Sequence, residues 1–331
     1  MDKILSIIIP SYNVAKFLPE ILPSYLNSSC LEDIELLIVN DGSKDNTEEV
    51  AEGYRVQYPE TIRIISKENG GHGSTINAGI KQAQGKYTKV IDGDDWVDTA
   101  AFERFIGKLK NMDTDMIISP FNKVDEATKE ISGTVTYPGL QEGVIYDLHV
   151  PLDLARERNY AMHSLTFKTS VLKQIPPISE HCFYVDMEYV IYPLPYVSTV
   201  GYINEAIYQY RVGSAGQSMA LNNMIRNRNM HLHVIRQLEQ YYTGCDNELV
   251  KEIIAAQLKG LYDTQINIYC MMPATAESRK ELKSFIRETK TEHPELCRDL
   301  AGKKTQLLFM GNGFGYGLVS FVFRSLKNRK K

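Results

Sequence analysis

Residues 34–43 read Ile-Glu-Leu-Leu-Ile-Val-Asn-Asp-Gly-Ser. An apolar run of this length, closed by a polar turn cluster, predicts a buried strand. The pattern repeats outward. Ile4 to Ile9 is a first β-branched strand, ended by Pro10, and helical spacing follows from about Phe17 to Leu26. After the quoted strand, Ser43 or Asp45 is placed to cap a helix running to about Tyr58. Ile62 to Ser66 predicts a third strand. Ser74 to Gln84 predicts a helix, with Gly85 as its C-cap. Tyr87 to Ile91 and Met116 to Ser119 are the fourth and fifth strands, with a helix between them. This alternation predicts an α/β fold, a mostly parallel sheet with helices on both faces.

In such sheets ligands bind beyond the carboxyl ends of the strands. Pro10-Ser11-Tyr12-Asn13, Asn40-Asp41-Gly42-Ser43 and Asp92-Gly93-Asp94-Asp95 all lie there. The last cluster crowds three carboxylates, which repel and call for a positive neighbour. Mg²⁺ or Mn²⁺, with hard oxygen ligands, is the simplest candidate. In extended chain Asp92 and Asp94 point to one side, while Asp95 points away or turns the chain. An acidic polar turn is the plainer alternative.

Other residues admit two readings each. Asp41 is placed either for a ribose hydroxyl or base N–H, or for an Asx-turn. Asn69-Gly70-Gly71-His72-Gly73-Ser74 lets backbone approach a ligand closely. It matches neither the dinucleotide fingerprint nor a Walker loop. Asp186 and Glu188 sit among aromatic residues, where partial burial would raise a carboxylate toward general-base work; acids favoured at a helix start are the alternative. Arg211, with Tyr210, Ser214, Gln217 and Ser218 nearby in sequence, suits a bidentate diphosphate contact or a structural ion pair. His163 either meets an acceptor sugar or is structural.

The 331 residues are 43% hydrophobic and 24% charged, as in globular proteins of one or two domains. Five scattered cysteines with no CxxC pair predict reduced thiols in a cytoplasmic setting. The N-terminal apolar run is too short for a signal peptide. Residues 1–299 carry 30 basic and 41 acidic residues, whereas the rest carries seven basic and none acidic. An acidic body argues against nucleic acid, and a basic end suits an anionic partner such as the inner face of the plasma membrane. Leu307 to Phe323 is apolar but has four glycines and Asn312. It is too short and broken for a span. Peripheral membrane contact through 303–331 is one reading, and a packed helix with a solvated basic end is the other. From about Asn222 three amphipathic helices are predicted: 222–242, 247–270 and 276–293. The expected division is 1–218 for a catalytic domain and 219–331 for a mainly helical C-terminal region.

Taken together, Ile7-Ile8-Ile9-Pro10-Ser11-Tyr12-Asn13, Val39-Asn40-Asp41-Gly42-Ser43-Lys44-Asp45, Asn69-Gly70-Gly71, Asn77-Ala78-Gly79, Asp92-Gly93-Asp94-Asp95, Val185-Asp186 and Tyr210-Arg211 resemble the family 2 glycosyltransferases of GT-A fold. The resemblance covers roughly residues 4–218. It implies inverting transfer from a nucleotide-diphospho-sugar, usually a UDP-sugar, to a glycan or lipid-linked acceptor, assisted by Mn²⁺ or Mg²⁺. It implies Asp41 at the nucleotide base, Asp92 at the ribose or sugar, Asp94 on the metal and Asp186 as general base. Donor contacts are expected from Pro10, Tyr12, Asn13, Asn69, Gly71, Gly93 and Arg211, and acceptor contacts from His163 and Glu188. The family's Glu-Asp pair is Val185-Asp186 here, and Gly93 replaces a more common Ala or Ser, a change expected to matter little. A catalytically silent nucleotide-sugar-binding subunit is the alternative. A nucleotidyltransferase ranks lower, because Pro10 to Ala15 has no Lys or Arg for a triphosphate.

Overall fold

The computed structural model describes residues 3–157, 160–213, 221–300 and 302–328. The chain divides into two compact units, residues 1–151 with 159–215, and residues 152–158 with 216–331. The strands are β1 (Leu5–Ser11), β2 (Ile34–Asn40), β3 (Ile62–Ser66), β4 (Tyr87–Val90), β5 (Trp96–Val97), β6 (Met116–Ile118), β7 (Phe121–Asp125), β8 (Ile131–Val135), β9 (Leu165–Lys168), β10 (Val200–Tyr202) and β11 (Tyr208–Val212). In the first unit the helices are α1 (Leu18–Leu26), α2 (Thr47–Gln57), α3 (His72–Gln82), α4 (Thr99–Leu109), α5 (His149–Arg156, which runs into the second unit), α6 (Thr169–Leu172) and α7 (Asp186–Ile191).

A seven-stranded sheet has the order β10-β6-β9-β4-β1-β2-β3. β1, β2, β3 and β4 pair in parallel, and β9 inserts antiparallel between β4 and β6. A second sheet, β5-β11-β7-β8, contains the antiparallel hairpin of β7 and β8. The β1 side chains alternate between two buried faces. Leu5, Ile7 and Ile9 pack with Leu36 and Ile38 against Leu18, Ile21 and Tyr25 of α1 and Phe102 and Phe105 of α4. Ile8 points the other way, where a Cβ on Gly79 of α3 would come within 2.6 Å of it. Burial on both faces is why these strands read as unbroken apolar runs.

Two local expectations change and one choice narrows. β1 continues through Pro10 to Ser11, since pairing with β4 stops at Ile8. Of Ser43 and Asp45, it is Asp45, just before the N-cap Asn46, that accepts from the Thr47 amide of α2, at 3.0 Å. Gly85 is not the C-cap of α3, which ends at Ala83. It lies against β1, where an added Cβ would be 2.6 Å from the Ser6 amide.

The second unit is helical: α8 (Leu221–Arg226), α9 (Arg228–Thr243), α10 (Glu248–Met271), α11 (Ala276–Glu292), α12 (Lys303–Met310) and α13 (Tyr316–Asn328). The single helix expected over 222–242 is broken at Asn227, the N-cap of α9. All five cysteines are free. Among the described residues no helix is long and apolar enough to cross a membrane.

His231 is 3% exposed and bonds Gln265 Oε1 at 2.7 Å. Burial pushes its pKa down to about 4. The unfolded chain takes up a proton near pH 6.5 that the folded chain refuses until about pH 4, so stability is lost as pH falls through that window. Unfolding free energies from urea titrations between pH 7 and 4 should fall by up to about 1.4 kcal/mol per pH unit from this group, and His231→Gln should flatten the slope.

Candidate active site

The acidic turn follows β4 at the sheet's carboxyl edge. Asp95 N donates to Asp92 O at 3.0 Å and closes it. Asp95 is 1% exposed, and its carboxylate accepts from Tyr208 Oη at 2.7 Å and the Arg211 amide at 2.7 Å. Burial, then Asp94 and Asp92, raise its pKa well above the usual range. Asp92 and Asp94 stay partly exposed. Burial and then Asp92 raise the Asp94 carboxyl, opposed by Arg211 and His72.

Gly93 corrects the expectation that its identity matters little. A Cβ there would stand 2.4 Å from the Pro10 carbonyl oxygen, a backbone atom that cannot swing aside. Pro10 thus serves as a wall for the turn.

The glycine loop joins β3 to α3. Asp41 organises it from beneath and is not an open contact for a nucleotide base. It is 2% exposed and accepts from Lys67 Nζ (2.8 Å), Gly70 N (2.9 Å), Gly71 N (2.8 Å) and Ser74 Oγ (3.3 Å). The Asn69 amide donates to its backbone oxygen at 2.9 Å. Gly71, at φ +81°, caps α3. The loop brings His72 Nε2 to 3.4 Å from Asp92 Oδ1.

Segment 178–185 docks on this loop and carries Asp186 with it. A Cβ on Gly73 would be 2.1 Å from Ser179 O. The His181 amide donates to Gly70 O at 2.5 Å, and Asn77 exchanges two 2.9 Å bonds with Ile178. Asp186 begins α7. Burial raises its carboxyl, Asp92 adds to the rise and His72 opposes it. Asp92 and His72 therefore act on both Asp94 and Asp186 across three loops.

Glu188 is not an acceptor contact. It is fully buried and accepts from Ser179 N (2.6 Å) and Oγ (2.7 Å), which fixes the segment bearing Asp186. Arg211 is not available for a diphosphate. Its side chain is 1% exposed, donates to Asp94 O at 2.6 Å, pairs with Glu126 Oε2 (2.5 Å) and Glu20 Oε2 (3.1 Å), and lies over Trp96 and Phe17. Ser214, Gln217 and Ser218 lie outside the described residues.

His163 stands among Tyr210, Tyr208 and Phe121, with ring centroids 4.3, 4.8 and 5.1 Å away. Burial lowers its pKa to about 4, so the ring is neutral near pH 7. Its backbone oxygen accepts from the buried Lys89 Nζ at 2.8 Å. Ligand atoms of Asp92, Asp95 and His163 lie within 4.8 Å of one another. Two carboxylates and a neutral imidazole fit a small divalent cation, but Asp95 is already engaged by Tyr208 and Arg211. Asp92 and Asp94 offer the more open oxygens. Tyr12, 46% exposed, borders this edge. Asn13, at φ +55°, ties the loop after β1 to that after β2 through the Lys44 amide at 2.8 Å.

Tyr208 has no signal in the sequence that marks it for the site. The Tyr208-Gln-Tyr-Arg alternation is a strand signal, but nothing in it points to Asp95.

Residues 6–176 match the profile of glycosyl transferase family 2. The chain belongs to that family. An uncharacterized Bacillus subtilis glycosyltransferase, EpsJ, is 41% identical over 123 residues, 37% of this chain and 35% of that protein. The minor teichoic acid biosynthesis protein GgaB of the same organism is 30% identical over 236 residues, 69% of this chain and 25% of that protein. The chain thus spans less than half the length of these family 2 relatives. The crystal structure of S. aureus TarS 1-349 in complex with UDP-GlcNAc has a TM-score of 0.71 at 16% identity, covering 97% of this chain and 92% of that one. A mannosyltransferase from Pyrobaculum calidifontis, in complex with GDP-Man and Mn²⁺, has a TM-score of 0.53 at 12% identity, covering 98% and 87%. These likenesses support the GT-A fold expected from the motifs.

Gly93→Ala should cost about 1–3 kcal/mol of stability from overpacking. Gly107→Ala, where a Cβ meets nothing within 4 Å in α4, should be neutral or stabilising. Chemical denaturation of the two variants checks this.

Proposed function

We propose that this chain is an inverting, metal-assisted glycosyltransferase that moves a sugar from a nucleotide-diphospho-sugar to a hydroxyl of a glycan or lipid-linked glycan. The observation that carries the reading is the Asp186 carboxyl, raised by burial and held at one sheet edge with Asp92, Asp94 and His72. A general base at neutral pH requires a carboxylate of raised basicity.

In the proposed reaction Asp186 takes the proton of the acceptor hydroxyl. The acceptor oxygen forms a bond to the anomeric carbon as the bond from that carbon to the diphosphate oxygen breaks. Attack opposite the leaving group inverts the anomeric centre, and the nucleoside diphosphate departs with the bonding pair. Mn²⁺ or Mg²⁺, held by Asp94 with Asp92 beside it, would neutralise charge on the leaving diphosphate. Asp92 and Tyr12 face the donor. Asn69, Gly71 and Asp41 shape its loop, and His163 orders the floor beneath the acids. UDP is the proposed nucleotide, supported by the UDP and UDP-GlcNAc complexes of TarS. Cell-surface polysaccharide assembly is the proposed setting, supported by the similarity to GgaB.

Asp186→Asn should lose about 10²- to 10⁴-fold in transfer rate while keeping donor binding. The wild-type rate should rise with pH along a limb displaced above the ordinary Asp range, and this limb should vanish in the variant. Unchanged turnover would sink the assignment. Calorimetric titration of UDP-sugars should show binding that weakens on chelation and in Asp94→Ala. Binding indifferent to both would remove the metal from the proposal, and binding without turnover on any acceptor would favour a silent subunit.

A further inference from the structure

We propose that α11, α12 and α13 of the second unit form a docking face for an anionic lipid bilayer. The observation is a set of large apolar side chains in solvent with a rim of unpaired cations. Leu307, Met310, Phe314, Leu318, Phe321 and Val322 are 58%, 82%, 86%, 70%, 63% and 46% exposed. Leu308, Phe309, Tyr316 and Ser320 are buried, so the two helices pack on their unit and still present a second apolar face outward. Six large apolar side chains exposed between residues 307 and 322 mark an interaction site.

The hairpin between α12 and α13 makes this face. The 17-residue apolar stretch is not one helix. Asn312, Gly313 and Gly315 turn it at φ +48°, +79° and +80°, which sets Phe314 at the tip. The shape suits insertion into the boundary between headgroups and chains, not a span.

The cations come from α11, which the sequence reading passed over in favour of the terminal lysines. Arg279, Lys283, Arg287 and Lys290 recur at i, i+4, i+8 and i+11, one stripe of the helix, and with Lys280 they line a groove of about 960 Å³. The stripe borders the hairpin. Lys290 Nζ donates to Phe309 O at 3.2 Å and Asn312 Oδ1 at 2.8 Å, and the Arg279 guanidinium lies 5.8 Å from the Tyr316 ring centre. A Cβ on Gly313 would be 3.1 Å from Lys283 Cγ. Among the described residues Arg279, Lys280, Lys283 and Arg287 have no carboxylate partner. A soluble polyanion would use the cations and leave the apolar residues idle. A second copy of the chain would use the apolar residues and gain nothing from a one-sign rim. A bilayer with anionic headgroups uses both.

The test is flotation of the full chain with phosphatidylcholine vesicles, with and without phosphatidylglycerol. Binding should require the anionic lipid and weaken with salt. Lys283→Glu with Arg287→Glu should lower partitioning by at least tenfold, and Phe314→Ser with Phe321→Ser should lower it comparably. These residues are exposed, so circular dichroism should be unchanged. Loss in the charge variant with none in the Phe variant would overturn the proposal in favour of a soluble polyanion. Absent flotation, with a concentration-dependent dimer dissolved by the Phe variant, would overturn it in favour of self-association.

Discussion

The site depends on one buried carboxyl group. A carboxylate taken out of water costs several kcal/mol unless its oxygens are occupied. Asp95 meets that demand with the Tyr208 hydroxyl and the Arg211 amide, more than a hundred residues away in sequence. Once the Asp95 carboxyl is committed inward, the short turn leaves Asp92 and Asp94 at the open edge. Arg211 adds a second hold. Its guanidinium donates to Asp94 O and is itself fixed by Glu126 and Glu20. Burial lowers the affinity of Arg211 for its proton, but the two glutamates outweigh it and the group stays charged.

β1 to β4 and β6 were legible because each is an apolar run, largely buried, that stops at a polar cluster. β9 was not. Leu165-Thr-Phe-Lys is four residues long and carries no turn signal, yet it lies in the interior of the sheet, antiparallel to both neighbours. Its place is decided by partners some 50 to 80 residues away. β5, two residues long, has the same history. The apolar tail was legible as too broken for a span, and the glycines that broke it are those that turn the hairpin.

Within the site, chemistry was easier to read than occupancy. The acidic pair and Asp186 announce themselves by residue type. Arg211, Glu188 and Asp41 carry the same charges in equally suggestive places, and the fold uses all three internally. What separates the two groups is which partner arrives first, and those partners lie between 9 and 191 residues away. Polar residues at a sheet edge identify the edge. Only packing shows which of them still face outward.

Clearance between backbones does the rest. Gly73 lies against Ser179 O and Gly93 against Pro10 O, and a rotamer change relieves neither contact. The loops after β1, β3 and β4 and the segment before α7 are therefore spaced by main chain. That makes the spacing of Asp92, His72 and Asp186 insensitive to side-chain fluctuation, which preorganised charge requires. The same rigidity keeps several carboxylates close, and the Asp94 and Asp186 carboxyls stay raised despite the charges of Arg211 and His72, so the edge calls for further positive charge. A chain selected for stability alone would have let one of these acids turn away. The glycines that prevent it are the strongest structural argument that this edge is built to bind.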